Sequence, residues 1–588
     1  MPISILAAML LVAMTGLILW GRNKGFCITD EAFYILVSQD PERYKCIVTK
    51  FGFLLNKLPA LTASDLVNGR LWQLILQMIG ASLLSIGLIK AVSATFNLSR
   101  SMNFLLWSLS AAGSLLIFSV FPMFASYNTL VAAATYSSVG CWLYAWSQER
   151  RSKTIAYLIC GMFAALAAFS KVTSAMALIL LLIVCILLKE KGRSLIEALL
   201  SFMIGIALGA LSYFTFVEPF STCISSFLQA STYMKETNLY TPELAANKYF
   251  ASIFKLTIHA AISIVLIASI SIALDFVVRK AGQKAETIRP YLVGCTTLAV
   301  FAFSGYFSAA SVEPFYIVPL LLAAIALRLH GKEKFSKDLI VSNLPLLVLS
   351  VIPIVCSLGT NNDVINHTKV FVAPLILASL NLSLRISQRL RSHSSFAVTS
   401  ILFLVIVGTQ FFAGFLNTPY GIPLPMQQQK ELSKAPNLQK IKQAHGPKVF
   451  FDAYFEMLQK AGFHEGDIII AAYNMPGLVY AVDGRSVKFA TFLPGLEGKG
   501  MFEAALAELR REDARQFFVV TNYEGDPNLS ESFSKAGYRF PDQFQKIGSL
   551  SCPYDAPYVD IRTGKVDLTD LHNRIAVFKF EKDQPPSR

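Results

Sequence analysis

The chain has 588 residues, 54% hydrophobic and only 15% charged, with a formal net charge of +14 and a mean hydropathy of +0.51. Soluble domains carry about 25% charged residues, so the composition excludes an ordinary soluble protein and places the chain among polytopic membrane proteins. Much of the positive excess sits in short loops between apolar segments, which argues against nucleic-acid binding.

About thirteen apolar segments are long enough to cross ~30 Å of hydrocarbon as helices. In chain order they are 3–20, 71–92, 103–121, 128–146, 154–170, 172–188, 195–217, 252–276, 290–308, 311–328, 339–358, 367–384 and 396–414. The first has no basic region before it and no clear small-residue cleavage site after it, so it reads as a retained span rather than a signal peptide. Lys171 separates the fifth and sixth spans. A lysine at membrane depth is costly, so it marks either a tight outer turn or a side chain pointing into a cavity.

Loop charges orient the spans. Arg150, Arg151 and Lys153 follow span four, and Lys189, Lys191 and Arg193 follow span six. Arg279, Lys280 and Lys284 follow span eight, Lys332, Lys334 and Lys337 follow span ten, and Arg385, Arg389 and Arg391 follow span twelve. Every cluster follows an even-numbered span. The positive-inside rule then places the N-terminus in the cytoplasm and the tail from 415 outside. The first outer loop, 21–70, departs from the rule with Arg22, Lys24, Arg43, Lys45, Lys50, Lys57 and Arg70. Either the loop binds an anion or its length tolerates the charge.

The nine cysteines show no metal-ligand spacing. Cys27 and Cys46 share the first loop and are able to form a disulfide in an oxidising compartment. Those in apolar segments read as small buried apolar residues.

After the spans, 415–445 is a Pro-, Gln- and Lys-rich linker, and 446–588 has the texture of a small α/β domain. Helices are expected at Phe451–Lys460, Phe502–Arg511 and Leu529–Ala536, and strands at Asp467–Tyr473, Gln516–Thr521 and Ile575–Phe580. Gly484, Gly495 and Gly498 make no nucleotide-binding fingerprint. His445, His464 and His572 are too dispersed for a zinc site.

The informative polar residues fall at the outer ends of spans: Asp30, Glu31, Lys50, Arg70, Tyr127, Asn128, Glu218, Glu313, Asn361, Asn362 and Asp363. A helical bundle would gather them into one outward-facing cavity. Carboxylates beside several cations suit a reaction that activates a hydroxyl while stabilising a phosphate leaving group.

In the order and texture of these motifs the chain resembles the C-type (GT-C) membrane glycosyltransferase superfamily, in particular the bacterial branch with the aminoarabinose and protein mannose transferases. The resemblance covers about 1–415. It rests on Asp30-Glu31-Ala32-Phe33-Tyr34, Lys50-Phe51-Gly52-Phe53, Asn68-Gly69-Arg70-Leu71, Ser126-Tyr127-Asn128-Thr129-Leu130, the small-residue hairpin around Ser170-Lys171-Val172, and Glu313-Pro314-Phe315-Tyr316. It implies a polytopic helical fold and an inverting transfer of sugar from a polyprenyl-phosphate carrier to an envelope lipid, glycan or protein on the outer face of a bacterial inner membrane. It further implies Asp30 as the base, and Glu31 as organiser of the loop or contact to sugar or metal. Lys50, Arg70 and Lys171 become candidates for the carrier phosphate, and Tyr127, Asn128, Glu313 and Asn361 candidates for other substrate contacts. A divalent cation stays open, because one acidic doublet does not define a metal site. Two other classes compete: a lipid or polysaccharide transporter or flippase, and a non-catalytic membrane assembly protein.

Overall fold

The computed structural model describes residues 2–44, 47–58, 65–93, 96–236, scattered positions between 246 and 323, 337–360, 364–389, 394–492, 495–512, 514–522, 527–554, 558–559, 566–567 and 574–582. Long apolar runs must satisfy their backbone groups internally in lipid, and here they form helices. These are α1 (Pro2–Gly21), α2 (Asp30–Gln39), α3 (Phe51–Asn56), α4 (Leu66–Ser93), α5 (Arg100–Ser114), α6 (Ile117–Val120), α7 (Tyr127–Ala145), α8 (Arg150–Ser170), α9 (Val172–Lys189), α10 (Gly192–Phe216) and α11 (Phe220–Glu236). Further helices run over Lys337–Ser357, Ala373–Arg389 and Ser394–Phe412. Among the described residues, 7 helices are long and apolar enough to cross a membrane. The count is 8 if Val364–Phe371 and Ala373–Arg389, bent by 76° against each other, make one span. The chain is a multi-pass membrane protein. The segments expected at 252–276 and 290–308 lie outside the described residues, as does most of 311–328.

Helix α7 occupies the middle of the bundle, with nearly every side chain buried. It packs between α4 and α8, and α8 packs on α10. Small residues set the α4–α7 spacing: a Cβ added at Gly87 would fall 2.0 Å from the carbonyl oxygen of Gly140. The two backbones are therefore in contact, as in close-packed membrane helix pairs. A polar chain braces the end of this pair where α7 begins. Thr129 donates to Gln73 Oε1 at 2.9 Å, and Gln73 donates to the Pro122 carbonyl at 3.0 Å.

Lys171 is the single extended residue between α8 and α9, and its side chain is buried. At the opposite end of α8 the loop charges find partners. Arg150 Nε donates to Glu197 at 2.8 Å, Arg193 to the same carboxylate at 2.9 Å, and Lys153 to Glu190 at 3.2 Å.

Beyond the bundle, β1 (Glu431–Leu432) and β2 (Lys442–Gln443) form a short ribbon. A four-stranded sheet follows, built from β3 (Ile469–Ala472), β4 (Gln516–Thr521), β5 (Gln545–Ser551) and β8 (Arg574–Glu581), in the order β3-β4-β8-β5. The β3–β4 pair is parallel and the other two pairs are antiparallel. Strands β6 (Tyr558–Val559) and β7 (Val566–Asp567) pair separately. Helices His445–Lys460, Pro476–Ala481, Gly495–Arg511 and Pro527–Lys535 accompany the sheet.

This C-terminal part packs on the first loop. The Gly477 amide donates to the Ile28 carbonyl at 2.8 Å, the Ser486 amide to the Tyr44 hydroxyl at 3.3 Å, and Phe26 lies against Phe451 and Tyr480. Residues 23–25 and 442 exchange two backbone hydrogen bonds of 2.8 Å.

Candidate active site

The acidic doublet opens α2, where two carboxylates in the first turn suit the positive end of the helix dipole. Consecutive helical residues point about 100° apart, so the two carboxylates diverge. Glu31 turns inward and is almost wholly buried. It accepts from Arg70 Nε at 2.8 Å and Nη2 at 2.7 Å, and from the Cys27 amide at 3.2 Å. Arg70 also donates to the carbonyls of Arg22, Lys24 and Gly25 at 3.0, 2.9 and 2.8 Å. All five guanidinium N–H donors are engaged, so Arg70 has none left for a phosphate. In this structure Arg70, expected from the sequence as a phosphate candidate, clamps the first loop.

Lys50 is also committed. Its ammonium donates to Glu218 Oε1 at 3.0 Å and to the Ser226 hydroxyl, and Glu218 accepts from Tyr213 at 2.8 Å. Its backbone amide donates to the Phe169 carbonyl at 2.9 Å. Lys50 thus ties the start of α3 to the α10–α11 corner through a buried ion pair, which weakens its expected part as a phosphate ligand.

Asp30 faces the other way and is half-buried. Its Oδ2 accepts from the Tyr420 hydroxyl at 2.6 Å. Among the described residues no donor reaches Oδ1. Burial holds its carboxyl above the usual carboxylate range, with the Tyr420 hydrogen bond acting in the opposite direction. Cys27 beside it is a free thiol, pushed up to about 11 by burial and then by the negative charge of Asp30 and Glu31. Cys46, its proposed disulfide partner, lies outside the described residues.

An aromatic wall continues from Asp30. Tyr34 packs against Phe51, Phe121 and Tyr127 with ring centroids 5.6, 6.1 and 5.8 Å away, and the Tyr34 and Tyr127 hydroxyls share a hydrogen bond. Phe121 touches both Tyr420 and His367, at 5.8 and 6.1 Å. A capping box of Ser126 and Thr129 fixes the first turn of α7 and so places Tyr127 and Asn128. Asn128 Oδ1 accepts from His367 Nε2 at 3.2 Å, while its Nδ2 is buried without a partner. Buried amides are nearly always hydrogen-bonded, so this orphan donor suits a bound oxygen.

Lys171 lies over the Tyr127 ring at 5.6 Å and donates to the Cys356 carbonyl at 3.1 Å. Its charge and that of Lys369 both act on the His367 ring. Among the described residues neither lysine has a carboxylate partner. Glu313 and Asn361 lie outside the described residues.

Asp30, Tyr127, Asn128 and Lys171 are therefore brought to one end of the bundle, and Glu31, Lys50 and Arg70 brace it from behind. Phe121, His367, Lys369 and Tyr420 escaped the sequence reading, and Tyr34 entered it only within the acidic-doublet motif. His367 and Lys369 carried a usable signal, as polar residues at the start of an apolar segment. Tyr420 sits in a Pro-rich linker and had none. Among the described residues no three His, Cys, Asp or Glu side chains converge on one point.

No family model and no curated protein matches the sequence. By structure, the chain is similar to the oligosaccharyltransferase of Archaeoglobus fulgidus in complex with Zn and sulfate, at 11% identity over 87% of this chain and 67% of that one, with a TM-score of 0.44. It is also similar to ArnT from Cupriavidus metallidurans in the apo state, at 11% identity over 97% of each chain, with a TM-score of 0.35. Each is a likeness of fold alone.

Proposed function

We propose that the protein is an inverting glycosyltransferase that moves a sugar from a polyprenyl-phosphate carrier to a cell-envelope acceptor on the outer face of a bacterial inner membrane. The observation that carries this reading is the pairing of one carboxylate oxygen without a described donor, Asp30 Oδ1, with two lysines that lack carboxylate partners, Lys171 and Lys369, in one aromatic-walled site. Asp30 takes the proton from an acceptor hydroxyl as that oxygen bonds to the anomeric carbon. The bond from that carbon to the phosphate oxygen breaks, and the carrier leaves as its phosphate monoester. Lys171, Lys369 and the free Asn128 amide face the charge that builds on the leaving phosphate, where preorganised donors are most effective. The half-exposed Tyr127 ring supplies a surface for the sugar to stack on, backed by Tyr34 and Phe51. The carrier chain remains in the bilayer beside the bundle.

The test is single-turnover transfer to membrane acceptors from a panel of radiolabelled undecaprenyl-phosphate hexoses and pentoses, comparing wild type with Asp30→Asn. Losing a general base lowers the rate by about 10²–10⁴. Equal rates for the two proteins would refute the assignment of Asp30.

A further inference from the structure

The hydroxyl on Asp30 comes from the linker between the bundle and the outer domain, 390 residues away in sequence. Its delivery is built into the backbone. Pro419, Tyr420, Gly421 and Ile422 form a β-turn closed by the Ile422 amide donating to the Pro419 carbonyl at 3.2 Å. Gly421, the third residue, has φ +65, and Tyr420 is not among the residues with positive φ. That is the type II pattern, with Pro419 opening the turn and glycine where a left-handed residue is required.

The turn is seated on the loop that carries the acidic doublet. A Cβ at Gly421 would lie 2.2 Å from Cys27 Sγ, and one at Gly25 would lie 2.7 Å from the Ile422 side chain. Cys27 and Gly25 belong to the loop that Arg70 and Glu31 clamp. The Tyr420 ring then rests on Phe121 at 5.8 Å, with its hydroxyl 2.6 Å from Asp30 Oδ2. A side chain that only covered the surface would not need both a glycine turn and a closely fitted seat to place a single hydroxyl.

We infer that Tyr420 is a positioning residue for the catalytic base: its hydroxyl holds Asp30 Oδ2, fixes the carboxylate plane, and leaves Oδ1 directed at the acceptor. This rests on the reading of Asp30 as the base. It follows the general arrangement in which a third group orients the group that takes the proton. It also makes the linker part of the active site, so displacing the turn disables the base without touching any substrate contact.

The ionisable groups around Asp30 are Cys27 from its own loop, Tyr34 from α2 and Tyr420 from the linker, while Glu31 is turned away and paired to Arg70 of α4. Tyr420 is the one whose hydroxyl bonds the carboxylate directly, and its donation favours the ionised form.

The experiment uses the full-length protein in nanodiscs. Dicyclohexylcarbodiimide, an apolar carbodiimide, reacts with carboxyls in their protonated form. Its pH-dependent labelling of Asp30 is followed by peptide mass spectrometry, so this arm needs no sugar substrate. In Tyr420→Phe, which keeps the ring on Phe121, the pH of half-labelling should rise by roughly one unit, the size of one lost hydrogen bond to a charged group. The acid limb of the transfer rate should move up with it, and the melting temperature should stay at the wild-type value. An unmoved half-labelling pH in folded Tyr420→Phe would overturn the assignment. Transfer that survives in Asp30→Asn would instead sink the base role of Asp30, and with it the catalytic meaning of Tyr420, even where the labelling shift is seen.

Discussion

Glu31 and Arg70 form a two-bonded ion pair sealed from solvent, with three backbone carbonyls of the same loop completing the guanidinium's donors. One member of the acidic doublet is thereby spent on architecture. Burying both charges is tolerable because every donor of the arginine is satisfied. Breaking such a pair leaves an uncompensated buried charge, at a cost of about 3–5 kcal/mol. Arg70→Ala and Glu31→Gln should each lower the thermal midpoint of the detergent-solubilised protein markedly. Arg70→Lys should fail to restore it, since an ammonium cannot supply a planar five-donor fork. A wild-type midpoint in Arg70→Ala would contradict the clamp.

The Lys50–Glu218 pair makes a parallel prediction with a different signature. Lys50→Met leaves Glu218 buried with only neutral hydroxyl and thiol partners, and should destabilise more than the double variant Lys50→Met/Glu218→Gln does. Both are read by the same unfolding assay. A single variant as stable as the double would mean that the pair is not coupled.

The proposal of Asp30 as the base carries a pH dependence. A base must be ionised, and burial holds this carboxyl above its ordinary value, so transfer should fall as pH drops through that raised value rather than at the usual carboxylate range. The stability sign is opposite. A carboxyl with a raised folded-state pKa binds protons more tightly when folded, so its contribution to stability is lost as pH rises from the ordinary value through the raised one. Asp30→Asn should therefore be at least as stable as wild type at neutral pH while losing activity. Melting curves and rate profiles collected across the same pH series check both halves.

Lys171 and Lys369 predict how the carrier is held. Replacing either with Gln should weaken binding of undecaprenyl phosphate by roughly tenfold or more, the scale of one hydrogen bond to a charged group. The affinity is measured by titration in nanodiscs, with undecaprenol as the uncharged control. Equal affinities in wild type and both variants would remove the lysines from the phosphate site.

The basic clusters after the even-numbered expected spans predict an outside tail. A cysteine replacing Lys440, an exposed residue of the linker, should react with a membrane-impermeant maleimide in intact spheroplasts. Protection equal to that of a cytoplasmic-loop cysteine would invert the topology.

The sequence by itself determined that this is a multi-pass helical membrane protein with a small α/β tail, because hydrocarbon demands long uncharged runs and few other folds read that way. It also marked Asp30, Tyr127, Asn128 and Lys171, since polar residues at span ends stand out against an apolar background. Strand β5 was missed because its residues are mostly exposed or half-buried and show no apolar alternation, and only pairing with β8 defines it. What the tertiary structure alone decided is how the charges are shared out. Asp30 and Glu31 are adjacent and chemically alike in sequence, yet the helical turn between them sends one to Arg70 and the other to Tyr420. Arg70, Lys50 and Lys171 are equally cationic on paper, but two meet buried carboxylates and the third meets only a backbone carbonyl and an aromatic face. Those partners lie up to hundreds of residues away, and no local pattern encodes which cation will find one.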